Sequence, residues 1–240
     1  MYLKESRVLT PLGLGVALLL LIACDAGAAS RWMPPSGWKV VVGPTAKVDT
    51  EHRRDVTSEL DRIGYGDVNA SGRECIVCLA EDYPEERTSN TRLWGTVTHL
   101  AARGWSLTAQ VAGTDLGGGR GYSGSRDEFV SVRSTVTQMA ILVGWERALR
   151  VRGGPSLNFV VVESGGPLSH RRATRPGLTG ELGARGRVAG RSFIEAVWQA
   201  RLVATGDLGS ISLGSGAANF STNDLSFSND VISVGLGVDF

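Results

Sequence analysis

Ser169 and His170, with Glu163 upstream, are the residue types of a nucleophile, a general base and an orienting acid. A hydrolase needs the imidazole within hydrogen-bond reach of the hydroxyl. Neighbouring side chains on an extended chain point to opposite sides, so Ser169 and His170 cannot pair if they lie in a strand. His52 and His99 have no comparable companions. Cys75 and Cys78 form a Cys-x-x-Cys pair, which can be a disulfide, a redox couple or half of a zinc site. No second Cys/His pair has zinc spacing and no His follows Cys78 for haem attachment, so a structural disulfide clip is the preferred reading. Gly117-Gly118-Gly119-Arg120-Gly121 is glycine-rich, but it follows no parallel strand, opens no helix and lacks the Gly-Lys-Ser/Thr ending of a phosphate loop. Arg171, Arg172 and Arg175 cluster beside His170. Guanidinium groups suit bidentate phosphate contact, including the phosphates of lipopolysaccharide; the plainer alternative is a solvated loop. No motif implies a cofactor or metal. With 25 Lys+Arg against 24 Asp+Glu, no nucleic-acid partner is implied either.

These residues hang on elements whose pattern is clearer than their chemistry. From Val231 to Phe240 the chain alternates strictly: Ile232, Val234, Leu236, Val238 and Phe240 on one face, Ser233, Gly235, Gly237 and Asp239 on the other. Such period-two alternation marks a strand with one apolar face. The pattern recurs and predicts eight strands, at about 38–48, 92–101, 105–112, 129–145, 150–162, 178–188, 192–205 and 231–240. The second has mixed alternation and its faces are not assigned. Pro44 weakens the first as a central strand. The connections 49–91, 113–128, 163–177 and 206–229 are long, and those between them are short. Outer-membrane barrels alternate in this way, with short periplasmic turns and long external loops. An even strand count then puts both ends of the barrel chain in the periplasm.

Residues 1–28 read as a secretory signal: Lys4 and Arg7 precede an apolar run from Leu12 to Ala23. Two endings compete. Leu21-Ile22-Ala23-Cys24 would leave a lipidated Cys24, whereas Ala26-Gly27-Ala28 fits ordinary cleavage, which a barrel without need of a lipid anchor favours. Residues 29–36 form a short linker and 37–240 the barrel. After the signal no apolar run approaches the ~20 residues of a membrane helix.

On this topology Trp38, Trp105, Trp145, Phe193 and Phe240 fall at periplasmic strand ends, as an interfacial girdle requires. The inward charges are Lys39, Lys47, Glu181, Arg185, Arg187, Glu195, Arg201 and Asp239, which must pair across strands because a buried lone charge is costly. An eight-stranded barrel is only wide enough for side chains, so a packed, charge-paired lumen is expected rather than a pore.

From Gly153 onward the chain resembles the small eight-stranded outer-membrane barrels of the OmpX, OmpA-barrel and opacity-protein type. The stretches that carry the resemblance are Gly177 to Arg185, Arg191 to Trp198 and Val234 to Phe240. It implies an eight-stranded antiparallel transmembrane barrel in the outer membrane of a Gram-negative bacterium. It also implies that Phe240, a terminal aromatic, is read by barrel-insertion machinery. A first loop of more than 40 residues with two cysteines departs from the simplest members. Some small barrels are lipid A deacylases or acyltransferases, but their His-x-Ser arrangement on one strand face is absent here. The expected function is therefore a structural or surface-interaction role through the external loops, in a monomer whose partners are membrane lipid and lipopolysaccharide. Rival readings are a lipid A-modifying enzyme, a small pore, and a periplasmic β-protein anchored through Cys24.

Overall fold

In the computed structural model, the described residues are 37–48, 51–67, 91–147, 149–164, 170–214 and 218–240. The expected signal and linker (1–36), Cys24, Cys75, Cys78 and Ser169 lie outside them. The elements are β1 (Gly37–Lys47), α1 (Glu51–Arg62), β2 (Gly66–Asp67), β3 (Thr91–Leu100), β4 (Trp105–Ser123), β5 (Glu128–Glu146), β6 (Leu149–Ser164), β7 (His170–Ala189), β8 (Ser192–Val203), β9 (Ser210–Leu213), β10 (Ala218–Ser221) and β11 (Asn229–Asp239). Eight of them, β1, β3 to β8 and β11, pair antiparallel with their neighbours. β11 pairs back onto β1, so the sheet closes into an eight-stranded barrel. Gly37 and Phe240 sit at one end, here the near end, where the connections 101–104, 147–148 and 190–191 are short.

All eight expected strands are present, but two expected long loops are not. Residues 113–123 continue β4, and β4 and β5 form one hairpin turned at 124–127. Residues 170–177 belong to β7, which pairs with β6 from Glu163↔His170 down to Leu149↔Ala184. The reason is dimensional. β4 and β5 have 19 residues each, which at ~3.4 Å per residue and a tilt of about 40° rise roughly 50 Å, about twice the ~25 Å of an apolar belt. Beyond the belt the outer face turns polar, so the apolar alternation stops while the strand does not. The long-short alternation of connections is thus reduced to two long far-end segments, 48–90 and 204–228.

Pro44 is accommodated on β1. The β1–β11 ladder passes from Val42↔Leu236 to Thr45↔Ser233 and skips Gly43 and Pro44, so the missing N–H falls where the ladder is interrupted. β3 resolves its mixed pattern by burying Trp94, Thr96, Thr98 and Leu100 and turning Leu93, Val97 and His99 outward.

The far end is capped by elements that fall within two of the expected long loops, 49–91 and 206–229. α1 buries His52, Val56, Glu59 and Leu60, a stripe at helical spacing. It ends in a Schellman turn: Gly64 has φ +87°, its N–H bonds the Asp61 carbonyl, and the Tyr65 N–H bonds the Leu60 carbonyl at 2.9 Å. The β9–β10 hairpin lies beside it. Together they bury Val56, Leu60, Tyr65, Ile211, Leu213, Phe220, Leu225 and Phe227 against the wall residues Leu116, Val130, Val132, Val136, Val160, Val162 and Val203. The glycine-rich run makes room for this cap. A Cβ on Gly119 would press on Val56, Thr57 and Leu60 at 3.1–3.2 Å, and one on Gly121 would overlap Tyr65.

Candidate functional site: a charged lumen, an apolar belt and a capped mouth

The near half of the barrel is inside-out relative to a soluble core. Its outer face exposes Trp38, Val42, Val97, Trp105, Leu107, Val111, Met139, Ile141, Val143, Trp145, Leu149, Val151, Leu157, Leu178, Leu202, Leu236 and Phe240. Its interior holds six buried charges in one network. Lys39 pairs with Glu146 and, at 3.5 Å, with Glu195. Arg150 forms ion pairs with Glu181, at 2.9 Å, and with Glu195. Arg152 donates to Glu181 at 2.8 Å and forms an ion pair with Glu146 at 3.3 Å. Three cations thus meet three carboxylates, so the network is neutral and each charge has at least two opposite neighbours, the condition for tolerating such burial. Thr98 and Thr108 extend it through Arg152.

Above it lies an amide layer. Gln110 bonds Gln138 and Gln199 at 3.3 and 3.4 Å, Gln138 reaches Asn158 and Thr179, and Gln199 donates to Glu181 at 2.8 Å. Arg201, 1% exposed, is held by Gln199 and Thr114. Side chains therefore occupy the lumen from the ion pairs up to the apolar cap.

Of the expected lumen charges, Lys39, Glu181, Glu195 and Arg201 are buried inside. Only the first three enter the ion-pair network. Lys47 bonds the Leu116 carbonyl at 3.0 Å. Arg185 pairs with Asp239 at 3.2 Å at the near rim and lies over the Phe193 ring at 4.7 Å. Arg187 is exposed at that rim; the cross-strand register sets it opposite Phe193, and sets Glu181 opposite Gln199. Glu146, Arg150 and Arg152 were missed. Arg150 and Arg152 share the parity of Asn158 on β6, opposite the apolar face of Val151, Leu157, Phe159 and Val161, so the alternation itself carries the signal; Glu146 lies one residue past the expected end of its strand.

Of the girdle, Trp38, Trp105, Trp145 and Phe240 point outward at the near end, 54%, 56%, 38% and 69% exposed. Phe193 does not. It is 2% exposed and sits inside, in a small cluster with Val41, Trp94, Ala112 and Val197. Its parity explains this: on β8 it shares the face of Glu195 and Gln199. Gly237 opposite leaves the ring its space, since a Cβ there would come within 2.2 Å of it.

The basic cluster is divided by the same rule. Arg171 and Arg175 are on the inner-parity face of β7 and hold the 206–210 segment through the carbonyls of Ser210 and Asp207, at 3.0 and 2.7 Å. Arg172 is exposed on the outer-parity face. His170 is exposed at the start of β7, opposite Glu163 in the register.

The cap is tied down by polar contacts at the far end. The Asp55 carboxylate accepts the Ser226 N–H at 3.0 Å, His52 Nδ1 lies 2.7 Å from the Ser226 carbonyl, and Glu59 accepts both the Arg62 guanidinium and the Ser221 N–H. The hydrogen bond from Arg62, reinforced by the Ser221 amide, holds the Glu59 carboxyl below its usual range against the opposing effect of burial. Burial, with a hydrogen bond donated to Glu128, pushes the Tyr65 phenol up.

Among solved structures the chain is similar to that of the outer membrane protein OprG from Pseudomonas aeruginosa, with 13% sequence identity and a TM-score of 0.47, over 86% of this chain and 97% of that chain. No family model matches the chain, and no curated protein does either.

Proposed function

We propose that the protein is an integral outer-membrane barrel of a Gram-negative bacterium, related in kind to the small OmpX, OmpA-barrel and opacity-protein type. In this reading its lumen is sealed and its role is structural or surface-interactive. The observation that carries this is the joint inversion of the near half: an apolar outer face around a neutral network of buried ion pairs. In water such a surface would aggregate, whereas in hydrocarbon a closed barrel satisfies every wall hydrogen bond. The near end then faces the periplasm, and the capped far end presents α1 and the 204–228 segment at the cell surface. The packed lumen supports a non-conducting monomer over a pore. Exposure on the outer-parity face supports Arg172 as the residue of the basic cluster that would meet lipopolysaccharide phosphate, while Arg171 and Arg175 are engaged in holding the cap. Phe240 would serve barrel insertion. Cys75 and Cys78 remain proposed as a loop disulfide.

Gel migration of the membrane fraction, boiled against unboiled, tests the barrel. A heat-dependent shift and a need for detergent are expected; identical mobility of a freely soluble protein would sink the reading. Steady conductance in planar bilayers would replace the sealed lumen with a pore. A changed lipid A acyl pattern on expression would replace the surface role with an enzymatic one.

A further inference from the structure

The apolar belt is not uniform around the barrel. Across the outer faces of β1, β3, β4, β5 and β6 runs an open, apolar trough of about 720 Å³. The register explains its shape. Val40 and Val42 face Val97 and Gly95, these face Ala109 and Val111, these face Ile141 and Met139, and Leu157 lies opposite Met139. All have outer parity, so the trough is on the lipid side of the wall. Its floor is set by the two smallest side chains in that row, Gly95 and Ala109, between larger neighbours. The hollow over Gly95 is real space: a Cβ there would meet nothing nearer than 3.8 Å.

The same sector carries the aromatic rings. Phe240, Trp38, His99, Trp105 and Trp145 stand at the near ends of five adjacent strands. Trp38 packs edge-on to His99 with centroids 4.8 Å apart, and Trp105 is the cross-strand partner of Trp145. The near ends of β6, β7 and β8 present no outward ring. One or two outward positions, about 7–14 Å along a strand, separate these rings from the trough. Beyond the rings, in the two adjoining turns, stand two exposed cations. Arg147 lies over the Trp145 ring at 4.8 Å, and Arg103 is held at φ +65°, where a side chain is uncommon.

We propose that this sector is a binding site for one glycerophospholipid of the near leaflet. Its acyl chain lies in the trough, its glycerol backbone is at the level of the indoles, and its phosphate rests on Arg103 and Arg147. The vertical order is what selects this occupant: apolar hollow, amphipathic rings, then cations, at the spacing of a lipid's tail, ester region and phosphate. Cations alone do not make the site. Arg187 and Arg191 line the opposite near rim, where neither an indole nor the trough is present. A void in the belt must be filled by something in a bilayer, and the trough gives one chain contact on several sides where the convex wall gives it one.

The inference rests on the membrane-barrel reading above, and the experiment separates the two. Full-length protein, stripped of lipid in a non-ionic detergent, is titrated with phosphatidylglycerol and followed by native mass spectrometry, with the heat-dependent gel shift reporting folding of each variant. The wild type is expected to retain one lipid through collisional activation. G95L/A109L, which fills the trough, and R103Q/R147Q, which removes the cations at exposed turns, are each expected to weaken that adduct at least tenfold. Gly180→Leu, an equally open outward glycine on β7, and Arg191→Gln should leave it unchanged. A folded barrel that holds no lipid, or holds it equally in all variants, overturns the site while leaving the barrel intact. Dimers lost in G95L/A109L would make the trough a self-association face instead. Tighter retention of lipopolysaccharide than of phosphatidylglycerol would assign it to the other leaflet and overturn the proposal as stated. Failure to form a heat-modifiable, detergent-requiring species strikes the membrane reading itself.

Discussion

The near and far halves of the barrel wall share strands, register and twist, yet their two faces carry opposite chemistry. β5 shows both in one strand. In its near half the inner positions carry Glu146 and Gln138, with Leu142 and Ala140 between them, and the outer ones Trp145, Val143, Ile141 and Met139; in its far half the inner positions carry Val136, Val132 and Val130, with Ser134 among them, and the outer ones Thr135, Arg133 and Ser131, with Phe129 at the tip. β6 repeats the exchange, from buried Arg150 and Arg152 to buried Val160 and Val162. Alternation belongs to the backbone and is the same throughout. What alternates is set by the two media the faces touch. Where the outside is hydrocarbon, the inside can be polar, provided every charge is ion-paired or, as at Arg201, hydrogen-bonded. Where the outside is water, the wall buries an ordinary apolar core, and α1 with the β9–β10 hairpin supplies its other half.

The strongest way to break this contrast is to unbalance the near interior. Glu195→Ala leaves Lys39, Arg150 and Arg152 facing two carboxylates instead of three. A buried charge stripped of its partner costs about 3–5 kcal/mol. Urea unfolding in vesicles, read by the gel shift, should show the whole barrel destabilised by that amount. A loss under about 1 kcal/mol would mean that water reaches the network and the lumen is not dry.

Phe220→Ala probes the far interior. The side chain is fully buried in the cap, and removing such a ring costs about 3–5 kcal/mol where it is felt. The cost should fall on the cap rather than the barrel: accelerated proteolysis within 204–228, with the heat-dependent shift of the barrel retained. Simultaneous loss of both would show that the two halves unfold as one unit.

The outer faces give the next test. Leu236→Arg places a charge on the belt, where lipid-facing cations cost about 2–4 kcal/mol near the midplane. Ser131→Arg adds the same charge to the outer face of the far half and should stay within about 0.5 kcal/mol, as surface changes do. Equal penalties in vesicle-refolded protein would mean that the belt extends much farther up the strands than their outer polarity implies.

That polarity switch also decides what was legible in the sequence. The near half was readable because apolar and polar residues alternate there over eight strands, and the closing run Val231–Phe240 shows it without interruption. The far half was not. In Gly113–Ser123 both faces carry small or polar residues except at Leu116 and Tyr122, because one meets water and the other lies under α1, so a strand looked like a loop. α1 was hidden for a related reason: its apolar stripe is only Val56 and Leu60, completed by the buried His52 and Glu59. The lumen charges were partly readable. Lys39, Glu181 and Glu195 followed from parity, Arg150 and Arg152 could have, and Phe193 was misplaced because the level of a residue along its strand was weighed above the face it occupies. Which charges pair was not readable at all, since that depends on closure and shear rather than on any one strand.

The smallest expected effect concerns how the cap is latched to itself. Glu59 joins α1 to the β9–β10 hairpin through the Ser221 amide while Arg62 holds its charge. Its carboxyl titrates below its ordinary value near 4.5 in the folded protein. A group whose folded value is depressed contributes stability above its unfolded value and loses it as pH falls through the folded one. The latch should therefore be intact at pH 7 and weaken progressively below about pH 4.5, the carboxyl no longer able to hold both partners as an anion. Because the Arg62 side chain is 63% exposed, solvent screens that half of the interaction and most of the effect rests on the amide bond, about 1 kcal/mol in all. Hydrogen-exchange protection of Ser221, referenced to intrinsic rates, should fall roughly fivefold in Glu59→Gln at pH 7, and the variant should lose most of the wild type's further decline below pH 4.5. An unchanged acid response in Glu59→Gln would move the latch to Asp55, the other carboxylate that takes a backbone amide of the same segment.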